Sequence, residues 1–255
     1  MGNSELPAII VTGASGFIGR HFLEAAKNKF LIFAIARRSQ IECNAPRHKN
    51  IEWHMVDITD KIELEKTIDS IGSRSAIDFV LHLAGYYDFE CLNSPEYERT
   101  NVGGTKNILE MAKRLNVERF VFTSSLTVCD FRKCEMPVTE NSPPNADFPY
   151  AISKRKGEEM LREYSEFYSG TVVRFAAIFS DWCEYEPLYS LMSTWVSGEW
   201  NSRIIAGKGE TAITYIHIKC AILFLLKIFQ RSSRLKKFDI LIASYSKTQT
   251  HMELS

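Results

Sequence analysis

Tyr150 and Lys154, with Ser124 and Ser125 upstream of them, are the side chains of this sequence best suited to chemistry. In Tyr150-Ala151-Ile152-Ser153-Lys154 a phenol and an ammonium stand one helical turn apart on the same face. A cation that close favours the phenolate and draws the tyrosine toward a range where it can take or give a proton near neutrality. Tyr-x-x-x-Lys alone is a common pattern. Here it opens a helix after Asn141-Ser142-Pro143-Pro144-Asn145 and follows a strand at residues 119–123, whose carboxyl end presents Ser124 and Ser125. A serine hydroxyl placed there can hydrogen-bond a substrate oxygen while the tyrosine exchanges its proton.

A second constellation lies near the start. Ala8-Ile9-Ile10-Val11 reads as a strand, and Thr12-Gly13-Ala14-Ser15-Gly16-Phe17-Ile18-Gly19 breaks it into three glycines spaced by three before a helix. That is what a dinucleotide pyrophosphate needs. Gly13 permits the tight turn, Gly16 lets the backbone approach the phosphates, and Gly19 lets helix and strand pack closely. The phosphates would sit at the helix amino end, where N–H groups and the dipole favour negative charge. At the end of the second strand, where NAD-binding proteins place a ribose-binding carboxylate, stands Arg37, followed by Arg38. A guanidinium can pair with a 2′-phosphate, which favours NADP over NAD; stacking of Arg37 on the adenine is the alternative. Asp57 is placed to accept from the adenine amino group, or else to cap the helix beginning near Asp60.

The elements that position these residues follow from the hydrophobic rhythm. Strands are expected at residues 8–11, 30–36, 52–56, 79–83, 119–123 and 171–175, several of them unbroken apolar runs, as in strands covered on both faces. Helices are expected from Gly16, Asp60, Pro95 and Pro149, and residues 100–115 carry the stripe Ile108, Leu109, Ala112, Leu115. The fold class is therefore α/β, a Rossmann doubly wound parallel sheet. Past Phe175 the rhythm changes. A helix at 188–197, strands at 203–206 and 212–216 around a Gly207–Gly209 turn, a helix at 221–229 and a strand at 238–242 read as a small substrate-covering lobe. The division expected is residues 1–175 for NAD(P) and 176–255 for the lobe, interleaved and incomplete at its carboxyl end. Residues 248–254 resemble the start of a helix capped by Thr248 or Thr250; either that element is short or the chain is truncated.

Composition excludes several classes. With 255 residues, 45% apolar, 24% charged and zero net charge, the chain suits one large domain or one with an appendage, with no electrostatic pull toward nucleic acid or acidic membranes. Cys43, Cys91, Cys129, Cys134, Cys183 and Cys220 form no C-x-x-C pair and read as reduced thiols. No signal peptide is apparent, Leu6 stands where myristoylation wants Ser or Thr, and the apolar run at 221–229 is broken by Lys227. A cytoplasmic protein is expected.

Taken together these motifs resemble the extended short-chain dehydrogenase/reductases, the group holding the NAD-dependent epimerases and dehydratases. The resemblance rests on residues 12–19, Val56-Asp57, His82-Leu83-Ala84-Gly85, Asn101-Val102-Gly103-Gly104-Thr105, Thr123-Ser124-Ser125-Leu126-Thr127-Val128, Tyr150–Lys154 and Val173-Arg174-Phe175, and so covers nearly the whole chain. It implies Ser125 as the catalytic hydroxyl, Tyr150 as acid/base and Lys154 as the group that holds the nicotinamide ribose and tunes Tyr150. It implies Gly13, Ser15, Gly16, Phe17, Ile18 and Gly19 at the pyrophosphate, and Arg37, Asp57 and Ile58 at the adenosine. Leu83, Ala84, Gly85, Asn101, Thr123, Ser124 and Phe175 would line or order the nicotinamide end. No metal is implied. Helices matching residues 95–115 and 149–168 would pair into the four-helix bundle of a homodimer.

Departures from the family pattern narrow the substrate. Ala177 stands where nucleotide-sugar epimerases carry an asparagine, Ile213 where they carry a diphosphate-gripping arginine, Lys219-Cys220 in place of an acidic pair, and Cys129-Asp130 in place of tyrosine-glycine. A diphosphate left without partners in a cleft is costly, which argues against a UDP- or dTDP-sugar unless Arg203, Lys208 or Arg155 serves instead. Tyr86-Tyr87-Asp88-Phe89 and the aromatics Trp182, Tyr185, Trp195 and Trp200 suit an apolar or ring-bearing small-molecule substrate, or simply local packing. His82 and His217, in apolar strands, read as satisfied structural histidines. The function expected is hydride transfer between NAD(P) and a secondary alcohol or carbonyl carbon. An NADP-dependent carbonyl reductase, a 3-hydroxysteroid-dehydrogenase-like enzyme, or a catalytically silent NADP-binding scaffold are the rivals.

Overall fold

In the computed structural model, which describes residues 6–88, 92–130, 137–184, 186–198, 200, 212–245 and 249–250, the alternating segments assemble into a seven-stranded sheet. β1 (Ala8–Thr12) leads through α1 (Phe17–Ala26) to β2 (Leu31–Ala36), β3 (Ile51–Met55), α2 (Lys61–Gly72) and β4 (Phe79–His82). A π-helical segment (Tyr97–Gly104) runs into α3 (Thr105–Leu115), then β5 (Arg119–Ser125), α4 (Pro149–Tyr164) and β6 (Ser169–Phe175). β7 (Ala177–Phe179), α5 (Glu186–Val196), β8 (Ala212–Ile213), β9 (Tyr215–His217), α6 (Ile218–Gln230), β10 (Phe238–Ala243) and β11 (Gln249–Thr250) complete the described chain.

The sheet runs β10-β6-β5-β4-β1-β2-β3 with every pairing parallel. Successive side chains of β1 divide between two cores. Ile9 and Val11 pack with Phe22 and Leu23 of α1 and Leu225 and Phe229 of α6, whereas Ala8 and Ile10 pack with Leu64 and Ile68 of α2, Leu109 of α3 and Leu161 of α4. Two covered faces explain why the strands read as continuous apolar runs. Strand order reverses between β1 and β4, so the connections leaving their carboxyl ends diverge and open a crevice. The seventh strand arrives from beyond residue 175: β10 pairs with β6 from Phe238↔Gly170 to Ala243↔Phe175.

Several local expectations are revised. The stretch preceding α3 winds as a π-helix rather than an α-helix. Gly104 within it has no room for a side chain, since a Cβ would fall 2.6 Å from Ile58 Cδ1. The single strand expected at 212–216 is split at Thr214. β8 pairs antiparallel with β11 and β9 pairs parallel with β7, while the Thr214 carbonyl accepts the Ala177 amide at 3.2 Å. Hence the helix expected at 248–254 is corrected at its start: Gln249 and Thr250 are extended, opposite Ile213 and Ala212. Local cap signals there lose to a strand partner distant in sequence. α6 begins at Ile218, three residues before the expected 221, because the His217 ring accepts the Lys219 amide and caps it. The strand expected at 203–206 and the turn at 207–209 lie outside the described residues.

Among the described cysteines, Cys43 and Cys129 are buried, Cys183 half-buried and Cys220 exposed, all as free thiols. Cys91 and Cys134 lie outside the described residues. Among the described residues no helix is long and apolar enough to cross a membrane.

Candidate active site

The glycine turn leaving β1 is shaped for close approach. Gly13 has φ +67°, and a Cβ on it would meet the Ala84 backbone nitrogen at 2.6 Å. The turn therefore lies directly against the segment following β4, in a backbone region that favours glycine. A Cβ on Gly19 would lie 2.4 Å from the Gly13 carbonyl oxygen, so α1 could not pack here with any larger residue. Among the described residues no side chain caps α1 at Gly16, leaving its first turn, with Phe17 and Ile18, to present N–H groups outward. Before it opens a cleft of about 500 Å³ bounded by Gly13, Ser15, Gly16, Arg37, Arg38, Asp57, Ile58, Leu83, Ala84, Gly85 and Thr100. An uncapped helix amino end, a glycine cradle that a Cβ would fill, and adjacent guanidiniums fit a dinucleotide.

The adenosine end holds both expected and unexpected residues. Asp57 does not cap α2; Asp60 does, accepting the Glu63 amide at 3.1 Å. Asp57 Oδ1 instead accepts the Thr59 amide and hydroxyl, both at 2.9 Å, and Oδ2 lies 3.6 Å from Arg99. Burial pushes this carboxyl up, but the Thr59 bonds with Arg99 and Arg37 outweigh it and hold it below the ordinary aspartate range. Arg38 donates to the Ser15 carbonyl at 2.7 Å, while its own carbonyl accepts the Trp53 indole N–H at 3.1 Å. It is thus strapped across the glycine turn, a role that local sequence did not distinguish from that of Arg37.

Three consecutive hydroxyls end β5, and strand alternation sends them to different partners. Thr123 donates to the His82 carbonyl at 2.9 Å, tying β5 to β4. Ser124, on the opposite face, donates to Glu158 Oε1 of α4 at 2.6 Å. Ser125 accepts twice, from the Thr127 amide at 3.2 Å and the Thr127 hydroxyl at 2.8 Å. Its own hydrogen therefore remains to be donated onward. Phe175 is buried beside it, in register with Ser125 across β5 and β6.

α4 starts at Pro149, whose fixed φ and missing N–H suit a first helical position. Tyr150 follows, its ring edge-to-face with Tyr87 at 4.6 Å and tilted against Tyr97 at 6.3 Å. One turn on, Lys154 is only 6% exposed. Its Nζ lies 4.7 Å over the Phe122 ring and 3.6 Å from where a Cβ of Gly85 would be, so the amine reaches the wall of the cleft. Burial drives its pKa down to about 8, with Glu158 partly opposing the shift. Gly157 allows this approach: a Cβ there would strike Phe122 at 2.4 Å.

Behind this surface is a charge pair that motif reading did not anticipate. Arg174 of β6 and Glu158 are both buried and joined at 2.7 and 3.0 Å, and Arg174 also donates to the Ser142 carbonyl at 3.1 Å. The pair ties α4, β5 and β6 together. Asn101 performs a similar task in front: Oδ1 accepts the Tyr86 amide at 2.6 Å, and Nδ2 donates to the Tyr86 carbonyl and to Ser153 of α4, each at 2.9 Å.

The lobe residues are arranged differently. His217 faces Asp181 at 3.1 Å and caps α6, and Lys219 meets the same carboxylate at 2.6 Å, so His217 is satisfied structurally. His82, fully buried, lies between the Thr12 and Thr105 hydroxyls. Trp182 and Trp200 are 84% and 80% exposed and do not form a core for the lobe among the described residues. Tyr185 and Phe89 lie outside those residues.

Comparison with known proteins adds an independent line. The family model described as "NAD dependent epimerase/dehydratase family" matches residues 9–243. A "Putative UDP-glucose 4-epimerase" of Methanocaldococcus jannaschii is 27% identical over 217 residues, covering 82% of this chain and 69% of that protein. "UDP-glucose 4-epimerase 2" of Arabidopsis thaliana is 32% identical over 168 residues, covering 61% of this chain and 47% of that protein. The chain thus spans about half to two thirds of the length of the curated relatives it matches. In fold it is similar to the Bordetella bronchiseptica enzyme WbmG in complex with NAD, with TM-score 0.81, 18% identity, and coverage of 100% of this chain and 77% of that one. A UDP-N-acetylglucosamine 4-epimerase from Methanobrevibacter ruminantium gives TM-score 0.79 at 22% identity, covering 98% and 80%.

Proposed function

Because the chain belongs to the NAD dependent epimerase/dehydratase family, we propose that it moves a hydride between a nicotinamide dinucleotide and a secondary alcohol carbon of a sugar. The observation that supports this most is the convergence of Lys154, buried against Gly85 on the cleft wall, with Tyr150 one turn away on α4 and a Ser125 hydroxyl hydrogen uncommitted at the end of β5. The dinucleotide, when bound, supplies the hydride acceptor and donor. Tyr150 takes the proton of the substrate hydroxyl and returns it, Ser125 donates a hydrogen bond to the same oxygen, and Lys154 supplies the positive charge that favours the phenolate. Gly13, Ser15 and Gly16 would hold the phosphates, and Asp57 and Ile58 the adenosine. Residues 1–175 serve mainly the dinucleotide and 176–255 the substrate in this reading, in a cytoplasmic homodimer paired through α3 and α4.

For the cofactor we infer a preference for NADP over NAD. Support comes from Arg37 at the end of β2, where a ribose-binding carboxylate would otherwise stand, with Arg38 beside it on the cleft. The relatives named as UDP-glucose 4-epimerases support a sugar substrate. A second reading, a net NADP-dependent reductase of an apolar carbonyl compound, is favoured by Ala177 and Lys219-Cys220, which replace family groups, and by the exposed Trp182 and Trp200. One experiment separates them. Purified protein is incubated with UDP-galactose or with NADPH and a carbonyl panel, and sugar products and nicotinamide absorbance are followed. Interconversion with no net absorbance change supports the epimerase; stoichiometric NADPH loss supports the reductase; neither, with dinucleotide bound, overturns both. Arg37→Ala should weaken NADPH binding roughly tenfold or more while sparing NADH, since it removes the guanidinium read as the partner of the 2′-phosphate. Equal loss for both cofactors in a binding titration would refute the NADP assignment.

A further inference from the structure

Several polar groups buried behind the cleft form one run of hydrogen bonds, and its direction can be worked out from the hydrogens available. Thr105 has one hydroxyl hydrogen, and it is donated to the Asn101 carbonyl. The His82 Nε2 that stands 3.0 Å from the Thr105 oxygen must therefore carry a hydrogen and donate it. In a neutral ring Nδ1 is then an acceptor, and the Thr12 hydroxyl, 2.7 Å away, donates to it. The Thr12 oxygen in turn accepts the Ala84 amide at 3.3 Å. The opposite tautomer would set two lone pairs face to face at Thr105. An imidazolium would present a hydrogen to Thr12 Oγ1, displacing the bond that the Thr12 hydroxyl makes to Nδ1 among the described residues. The ring is fully buried and stacked on Phe122 at 5.8 Å, and burial, with the Lys154 ammonium nearby, drives its pKa down to about 3.

We propose that His82 is a positioning residue: fixed as its Nε2–H tautomer, it carries an oriented run of hydrogen bonds from the cofactor wall to the π-helical segment and, through Asn101, to the first turn of α4. The run begins at Ala84, whose backbone also packs under Gly13. It passes through Thr12, His82 and Thr105 to the Asn101 carbonyl. From the Asn101 side chain it continues to Ser153, which donates to the Tyr150 carbonyl at 2.7 Å. From Thr12 to Asn101 each hydrogen has one acceptor to serve, so that part of the run has one arrangement. The glycine turn, the segment 84–86 and the start of α4 are thereby set relative to one another. The Asn101 carbonyl is held by Thr105 one turn on, and its side chain by the Tyr86 amide and carbonyl and by Ser153.

The relay is tested in two ways. On the intact, ¹⁵N-histidine-labelled protein, long-range imidazole NMR should show His82 as a neutral Nε2–H ring, with and without NADPH. A Nδ1–H ring or an imidazolium would overturn the proposal. In Thr105→Val, whose methyl replaces the hydroxyl, amide hydrogen exchange at residues 84–86 and 150–153 should speed up roughly tenfold or more. The kcat for UDP-galactose should fall by a similar factor, with KM and the NADPH Kd nearly unchanged. Thr105→Ser should restore both. Unaltered exchange at those amides in Thr105→Val would also overturn it, as would a Thr105→Ser protein as impaired as Thr105→Val. The turnover arm rests on the proposed function. If UDP-galactose is not turned over by the unaltered protein, that reading fails, while the NMR and exchange results still decide this one.

Discussion

A phenol is a weak base near neutrality unless a cation is held beside it, and holding a bare ammonium in an apolar pocket costs a few kcal/mol. Lys154 carries that cost: buried against Phe122, it titrates at about 8, with the Glu158 carboxylate limiting the drop. Its depressed pKa means that the charged form is present below about pH 8 and lost above it. Turnover should therefore show an alkaline limb near that value, and Glu158→Gln, by removing the opposing charge, should move the limb to lower pH. A pH profile of kcat measures both; a limb left in place by Glu158→Gln would contradict this account. Tyr150→Phe should reduce kcat by about 10²–10⁴ while leaving dinucleotide affinity within a few-fold, because only the proton exchange is removed. Activity assays with a parallel fluorescence titration check it. These residues stood out in the sequence because Tyr150 and Lys154, four apart on one helix, follow a strand that ends in Ser124 and Ser125. Arg38 was not singled out, because its hold on Ser15 reaches back across α1 and β2.

At the scale of elements the question is how α4 is delivered onto β5 closely enough for its side chains to work. Gly157 removes the obstacle, and the Glu158–Arg174 pair supplies the attachment. Breaking such a pair from one side strands a charge in the interior, which typically costs about 3–5 kcal/mol. Glu158→Gln should therefore lower the Tm markedly. Glu158→Leu combined with Arg174→Met should recover much of the loss, because neither charge is then left alone; thermal melts of the single and double variants decide it. None of this was readable beforehand, since Glu158 and Arg174 sit on a helix and a strand whose packing has no local signature. The Rossmann rhythm, by contrast, was plain, because covered parallel strands write themselves as unbroken apolar runs. Where the reading failed, a tertiary partner overrode a local preference: β11 finds β8, His217 replaces the usual capping residues, and the segment before α3 widens into a π-helix.

For the whole molecule, the buried neutral His82 sets an acid boundary on stability. Its folded pKa of about 3 lies below the unfolded value of 6.5, so the unfolded chain binds the additional proton between those values. The contribution of this group is accordingly complete above about pH 6.5 and is lost as pH falls toward 3, up to several kcal/mol. Urea titrations through that range should show the midpoint falling with pH, and a smaller decline in His82→Gln; an identical slope in the variant would count against it. The sheet has a further property. β10 lies beside β6 in space, yet more than sixty residues of chain separate Phe175 from Phe238. During synthesis the ribosome therefore releases six strands whose outermost member, β6, keeps a row of unpaired backbone N–H and C=O groups until the seventh emerges. At about 5–20 residues per second that interval lasts several seconds, and through it the nascent protein has every incentive to engage a chaperone and a ready template for self-association.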